Sequence, residues 1–372
     1  MSDVHVERRD RLRERCSATG LDAALITHPA NLRWLTGSAG GAGVGSDSAE
    51  GARALLVTPA AAVLAAAGLW SDADLGGGLT RVGTGPADDP AVVLAARCSG
   101  GSSLGVEEHD LTVARHRAVT AAASLRQIRD LGCAVEQLRT VKDEQELSLL
   151  RIAGEIADQA LGELLESIVA GRTERHLAME LERRMIDHGA DGAAFPVRVG
   201  TGDHSGRAAH ASGDRRVEEG DFLTVALGAC YRGYRVSATR TFVVGLGPAD
   251  WQAELHRQVF SAQRAAREAL AVGAGQDAAD RAAHRVLDSL GHAFGHPYDT
   301  SGAGVGLEIG EEPHLGLQEL GKLDNRVPVT VGVGVSLPGR GGVRIEDTLV
   351  VRPSEDGGPE LLTITTKELL AL

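Results

Sequence analysis

Twice in its last two thirds this chain lays down a pair of amphipathic helical segments and follows them with strand segments. That alternation narrows the fold more than any other feature. The first pair runs through LSLLRIAGEIADQALGELLESI, with Asp143 placed to cap it and Gly171 to end it, and then from about Glu174 to His188. The second pair spans about Trp251 to Val272 and Ala278 to Leu290. Between the pairs stands GDFLTVALGACYRGYRVSATRTF, two apolar runs around a YRGY turn, and three further strand candidates follow: VPVTVGVGVSLPG, GGVRIEDTLVVR and LLTIT. Helix pairs alternating with antiparallel strand pairs predict an α+β domain over residues 139–372.

Residues 1–138 read differently. Val6 to Ala18 has the pattern of an amphipathic helix, DAALIT of a strand, HPANLRWLTG of a loop, and GSAGGAGVGSDSAEGARALLVT of a Gly/Ser-rich loop or hairpin entering a strand. Short strands and Ala-rich helices then alternate to about Gln137, which predicts a small α/β unit. The Gly-rich stretch lacks G-x-G-x-x-G spacing, so it reads as a turn and not as a phosphate cradle. Two domains also suit a chain of 372 residues.

A formal charge of −13 argues against nucleic acid or an anionic membrane as the main partner. The four cysteines, Cys16, Cys98, Cys133 and Cys230, have no C-x-x-C spacing and suit a reducing compartment. The charged start MSDVHVERRDRLRERC has no signal core, and the longest apolar run, AAAVLAAAGLW, is too short to cross a bilayer. These features predict a cytoplasmic protein with a small-molecule substrate and no cofactor.

The ordered blocks GRTERHLAMELERRM, GADGAAFPVRVGTGDHSGRAAHASGD, GDFLTVALGACYRGYRVSATRTF, GAGVGLEIGEEP and LPGRGGVRIEDTLVV resemble the pita-bread family of prolidase, aminopeptidase P, methionine aminopeptidase and creatinase. The segment around NLRWLTG resembles the creatinase-type N-terminal domain, so the resemblance covers essentially the whole chain. It implies a creatinase-like α/β N-terminal domain and a pita-bread α+β domain, an antiparallel sheet flanked by helices. It also implies a homodimer in which the loop Gly37 to Gly51 covers a partner's pocket.

Peptidases of this family hold two divalent metals with five side chains. Carried over by position, those ligands fall on Ala226, Ser237, Ala303, Gly332 or a neighbour, and Glu346, and a further family histidine falls on Gly310. A pair of hard cations needs several anionic oxygens and imidazoles around it, and one carboxylate cannot supply them. The expectation is therefore a metal-free site whose emptied cavity holds an organic guest.

His210, in RAAHASGD, matches the family position of a general acid/base, and imidazole suits proton transfer near neutral pH. His296, in FGHPYDTSGAG, is a second imidazole candidate, with Tyr298 as a hydrogen-bond donor and a structural histidine as the alternative. Period-two alternation requires one of Glu346 and Asp347 to face inward. An inward Glu346 needs a partner, either a substrate cation or an arginine such as Arg344 or Arg240. Ser237 is itself one of the vacated positions and, with Arg344, Arg240, Tyr298 and His204, is a candidate for substrate binding; His204 and Arg207 share the His210 loop. Arg240 reads more naturally as a brace of the sheet, and Glu311 and Glu312 as a solvated pair.

The reading that follows is a metal-independent enzyme that hydrolyses a C–N bond of a small amine, amidine or amide, with His210 moving the proton and Glu346 anchoring a cation. The alternatives are a lyase, decarboxylase or cyclase using the same pocket, and a catalytically inactive binding protein. Thr239 stands where creatinase-like members carry a glutamate, which disfavours creatine as the substrate.

Overall fold

A computed structural model describes residues 3–37, 53–67, 77–98, 103–123, 127–168, 170–207, 209–245, 247–289 and 300–372. The chain divides into two compact units, Met1–Arg139 and Thr140–Leu372.

In the first unit, strands β1 (Ala23–Ile26), β2 (Arg53–Val57), β3 (Ala62–Ala67), β4 (Thr80–Thr84), β5 (Ser103–Val106) and β6 (Gln127–Asp130) form one sheet in the order β4-β3-β2-β1-β5-β6. The sheet is mixed: β1 runs antiparallel to β2 and parallel to β5. Its helices are α1 (Val4–Ala18), α2 (Pro29–Thr36), α3 (Pro90–Ala95), α4 (Val113–Ala122) and α5 (Ala134–Arg139). Leu25, Leu56 and Leu104 of the sheet pack with Leu94 of α3 and Val119 of α4. The stretch read as the loop HPANLRWLTG is in fact largely helix α2. Proline stands at its first turn, where no amide hydrogen is needed, and Gly37 at φ +73° closes it with a left-handed cap.

The second unit begins with α6 (Glu144–Ser167), capped reciprocally by Asp143 and Glu146, and α7 (Glu174–Asp187), capped by Thr173. Then come β7 (Gly192–Ala193), β8 (Arg198–Thr201), a 3-10 turn over Gly202–Gly206, β9 (Phe222–Leu227), β10 (Ala229–Tyr231), β11 (Tyr234–Arg235) and β12 (Ala238–Val243). Helices α8 (Asp250–Glu268) and α9 (Ala278–Ser289) precede β13 (Thr300–Val305), β14 (Ile309–Gly316), β15 (Pro328–Leu337), β16 (Gly341–Val350) and β17 (Glu360–Leu361). The main sheet runs β14-β13-β15-β16-β12-β9-β8, with β17 paired to β16, and β11-β10-β7 form a small second sheet.

Strand β15 shows how the sequence builds two faces. Val329, Val331, Val333 and Val335 point toward α8 and α9, where Val259, Ala262, Ala266, Ala283 and Leu287 complete a buried core. The alternate residues Thr330, Gly332, Gly334 and Ser336 face the other way, and Gly332 pairs with Glu346 of β16. The segment LLTIT does not extend as the strand its pattern predicts, because Asp158 of α6 accepts the Ile364 and Thr365 amides and leaves them nothing to offer a ladder. Among the described residues no helix is long and apolar enough to cross a membrane.

Candidate active site

One row of residues crosses five strands. Gly332 of β15 pairs with Glu346 of β16, Glu346 with Thr239 of β12, Thr239 with Ala226 of β9, and Ala226 with Arg198 of β8. Directly opposed residues share a face of a sheet. Glu346, Thr239, Ala226 and Arg198 therefore line one cavity of about 110 Å³, together with Ser237, Arg344, Thr224, Phe195 and the loop residues His204, Ser205, Arg207 and His210.

Glu346 is the one carboxylate in that lining, and protein groups already hold both its oxygens. The Ser237 hydroxyl donates to Oε1 at 2.5 Å, and Nη2 of Arg344 donates to Oε2 at 2.8 Å. Burial pushes the Glu346 carboxyl up, but the Arg344 charge and hydrogen bond, Ser237 and the Arg198 charge outweigh it and hold the group below the usual carboxylate range. Gly332 makes room for this pair: a Cβ there would stand 2.9 Å from Oε2 of Glu346 and 3.1 Å from Nη2 of Arg344.

Asp347 faces the opposite side and is buried as well, because α8 covers that face. Its Oδ1 accepts from Arg240 at 2.7 Å and its Oδ2 from Gln263 at 2.7 Å. Arg240, 1% exposed, also donates to main-chain carbonyls of Glu346 and Thr365. Arg240 is therefore a brace of the sheet and touches no part of the cavity, which corrects its assignment to substrate binding.

The other wall is a carboxylate with two imidazoles. Glu174, the first residue of α7, is fully buried and accepts from the Thr201 amide and hydroxyl and the Gly213 amide. Nδ1 of His204 lies 2.9 Å from its Oε1 and Nε2 of His210 lies 2.7 Å from its Oε2. Burial works to raise the Glu174 carboxyl, but the bonds from His210, the two amides and His204 overcome it and bring the pKa to about 2. An ionised carboxylate only accepts hydrogen bonds, so the nitrogens facing it carry hydrogens and the opposite nitrogen of each neutral ring is an acceptor. The rings lie with centroids 4.2 Å apart. Their loop is seated by the hairpin β15–β16: the Gly342 amide donates to the Ser205 hydroxyl at 2.9 Å, and the Gly339 amide to Asp203 at 3.1 Å.

Of the residues singled out in the sequence, His210, His204, Glu346, Arg344 and Ser237 meet in this cavity. His296, Tyr298 and all of the loop Gly37 to Gly51 beyond Gly37 lie outside the described residues. Glu311 is not a solvated residue: it pairs with the buried Lys142 at 2.8 Å. Glu174 was missed because an acidic residue in a helical first turn is ordinary, and 36 positions separate it from His210. Arg198 and Phe195 were missed as well, although the spacing of Arg198 and Gly200 along one strand face was a usable signal.

An antiparallel sheet with paired helices, and a cavity over its β8-β9-β12-β16-β15 face, define the pita-bread class of hydrolases. The model of metallopeptidase family M24 matches residues 148–353, and that of the creatinase/prolidase N-terminal domain matches residues 8–141. The chain belongs to metallopeptidase family M24. It is 31% identical over 98% of its length to the uncharacterized peptidase YqhT of Bacillus subtilis, covering 99% of that protein. It is 33% identical over 67% of its length to the Xaa-Pro dipeptidase of Pyrococcus furiosus, covering 70% of it. The solved Xaa-Pro dipeptidase from Bacillus anthracis superposes with a TM-score of 0.89 at 29% identity, over 99% of this chain and 100% of that one.

These relatives overturn the expectation of a metal-independent enzyme acting on a cationic amine or amidine, and with it the non-hydrolytic and inactive alternatives. The family is one of metallopeptidases, and Glu174, His204 and His210 present ligand atoms within 4.8 Å of one another beside the cavity. A cationic guest also fits poorly, since the Glu346 meant to anchor it already has Arg344. The family's pair of metals does not fit its usual positions in this chain. Ala226, Ala303 and Gly332 offer no donor atom, Ser237 offers a hydroxyl already given to Glu346, and a guanidinium sits against the remaining carboxylate.

Proposed function

We propose that the chain is a peptidase for short substrates with a free carboxyl terminus, of the Xaa-Pro dipeptide kind. The observation that carries this reading is the charge of the cavity wall: Glu346 answers Arg344 and Asp203 answers Arg207, and Arg198 adds a further positive charge. A wall of that sign attracts an anion, and guanidinium matches a terminal carboxylate with two parallel hydrogen bonds. Phe195, with the Arg198 guanidinium carbon 5.5 Å from its ring centre, offers an apolar surface for a ring such as proline. His204 and His210, each with a nitrogen turned from Glu174, take a proton from the attacking water and return one to the leaving nitrogen. Such transfers contribute about 10²–10⁴-fold to rate.

The test compares Xaa-Pro dipeptides with the same dipeptides carrying a carboxyl-terminal amide. The free acids should be cleaved with kcat/KM at least tenfold higher. Equal rates would remove the carboxylate reading, and no cleavage of any dipeptide would remove the peptidase reading.

A further inference from the structure

We propose that Glu174, His204 and His210 form a binding site for one divalent cation that prefers imidazole, displaced from the positions where the family holds its pair. Two nitrogens and a carboxylate oxygen within 4.8 Å of one another can close on a single ion with small movements, since His204 and His210 already stand 2.9 and 2.7 Å from the two oxygens of Glu174. Zinc accepts this ligand set, two imidazoles and one carboxylate, with a coordination position left open. Here the open position would face the cavity that His204 and His210 line.

The surroundings are those of a built ligand set. The Thr201 amide and hydroxyl and the Gly213 amide orient Glu174 from behind, as outer-shell donors orient a ligating carboxylate. Without a cation the two rings donate N–H to Glu174. When a cation enters, it takes the place of those two hydrogens and each ring carries its hydrogen on the other nitrogen, so no net proton need be released. A buried carboxylate costs less when a cation is coordinated beside it. The vacated row does not compete, because Glu346 is neutralised by Arg344. This inference goes beyond the peptidase reading and, with the ion bound, would take the place of direct proton transfer by His204 and His210; it is measured without substrate, so either can fail alone.

The experiment uses the full chain freed of metal by chelator and dialysed, titrated calorimetrically with Zn²⁺ and analysed for bound metal. One equivalent per chain is expected. Affinity should fall at least tenfold in His204→Ala and in His210→Ala, neither of which removes a fully buried group. Cobalt substitution should give the visible absorption of a low-symmetry Co²⁺ centre, lost in the same variants. Absence of stoichiometric binding, or binding unchanged in both variants, would overturn the proposal. Glu174→Gln, if it folds, should weaken binding as well, and unaltered affinity there would remove Glu174 from the ligand set.

Discussion

Arg240 of β12 and Arg344 of β16 stand on neighbouring strands and answer carboxylates on opposite faces of the sheet. Arg344 meets a carboxylate at the cavity, whereas Arg240 meets Asp347 in the dry layer under α8, with side chains 1% and 0% exposed. Removing one partner of a buried pair leaves an uncompensated charge and typically costs about 3–5 kcal/mol. Lys367, 3.2 Å from the same Asp347 oxygen, should soften the loss. Arg240→Met is therefore expected to lower unfolding stability by about 2–4 kcal/mol in urea titration, and Arg240→Met with Asp347→Asn by less than the single change. A single-variant loss under about 1 kcal/mol would show that the pair does not brace the sheet. Sequence alternation alone could place Glu346 and Asp347 on opposite faces. It could not tell that both faces are covered.

At the scale of elements, the β15–β16 hairpin does more than pair strands, because its turn holds the loop that carries His204. Gly341 has φ +96°, and a Cβ added there would stand 2.3 Å from the carbonyl oxygen of Gly202. Gly357 has the same φ of +96° with nothing within 4 Å, so it isolates the backbone term. Alanine at a left-handed position costs upward of about 1 kcal/mol. Gly341→Ala should therefore destabilise more than Gly357→Ala by at least about 1 kcal/mol in matched thermal melts, since a backbone collision adds to the strain. Equal losses would mean that the hairpin does not rest on the loop. The helices and long strands of this unit were readable from periodicity, whereas α2 was not: a Pro at its start and eight residues of length look like a loop until the chain packs. The predicted LLTIT strand failed for the converse reason, a helix side chain claiming its amides.

For the molecule as a whole, the two units have separate cores, one of Leu25, Leu56, Leu104 and Val119, the other of the β15–β16 valines with α8 and α9. We expect residues 140–372 expressed alone to unfold cooperatively, as a unit with its own core should. A broad, non-cooperative melt of that fragment by circular dichroism would show that it depends on the first unit. The order of helix pairs and strand pairs, the family, and the loss of four of five metal-ligand positions were all present in the chain as text, because periodicity and motif spacing are local properties. What the text did not contain was the company each survivor keeps. That Glu346 is answered by Arg344 and Ser237, and that Glu174 gathers two histidines from a loop 30 and 36 residues away, depended on strands and loops distant in sequence being brought within hydrogen-bonding reach. Charge pairing acts over a few ångströms, and only the folded chain sets those distances.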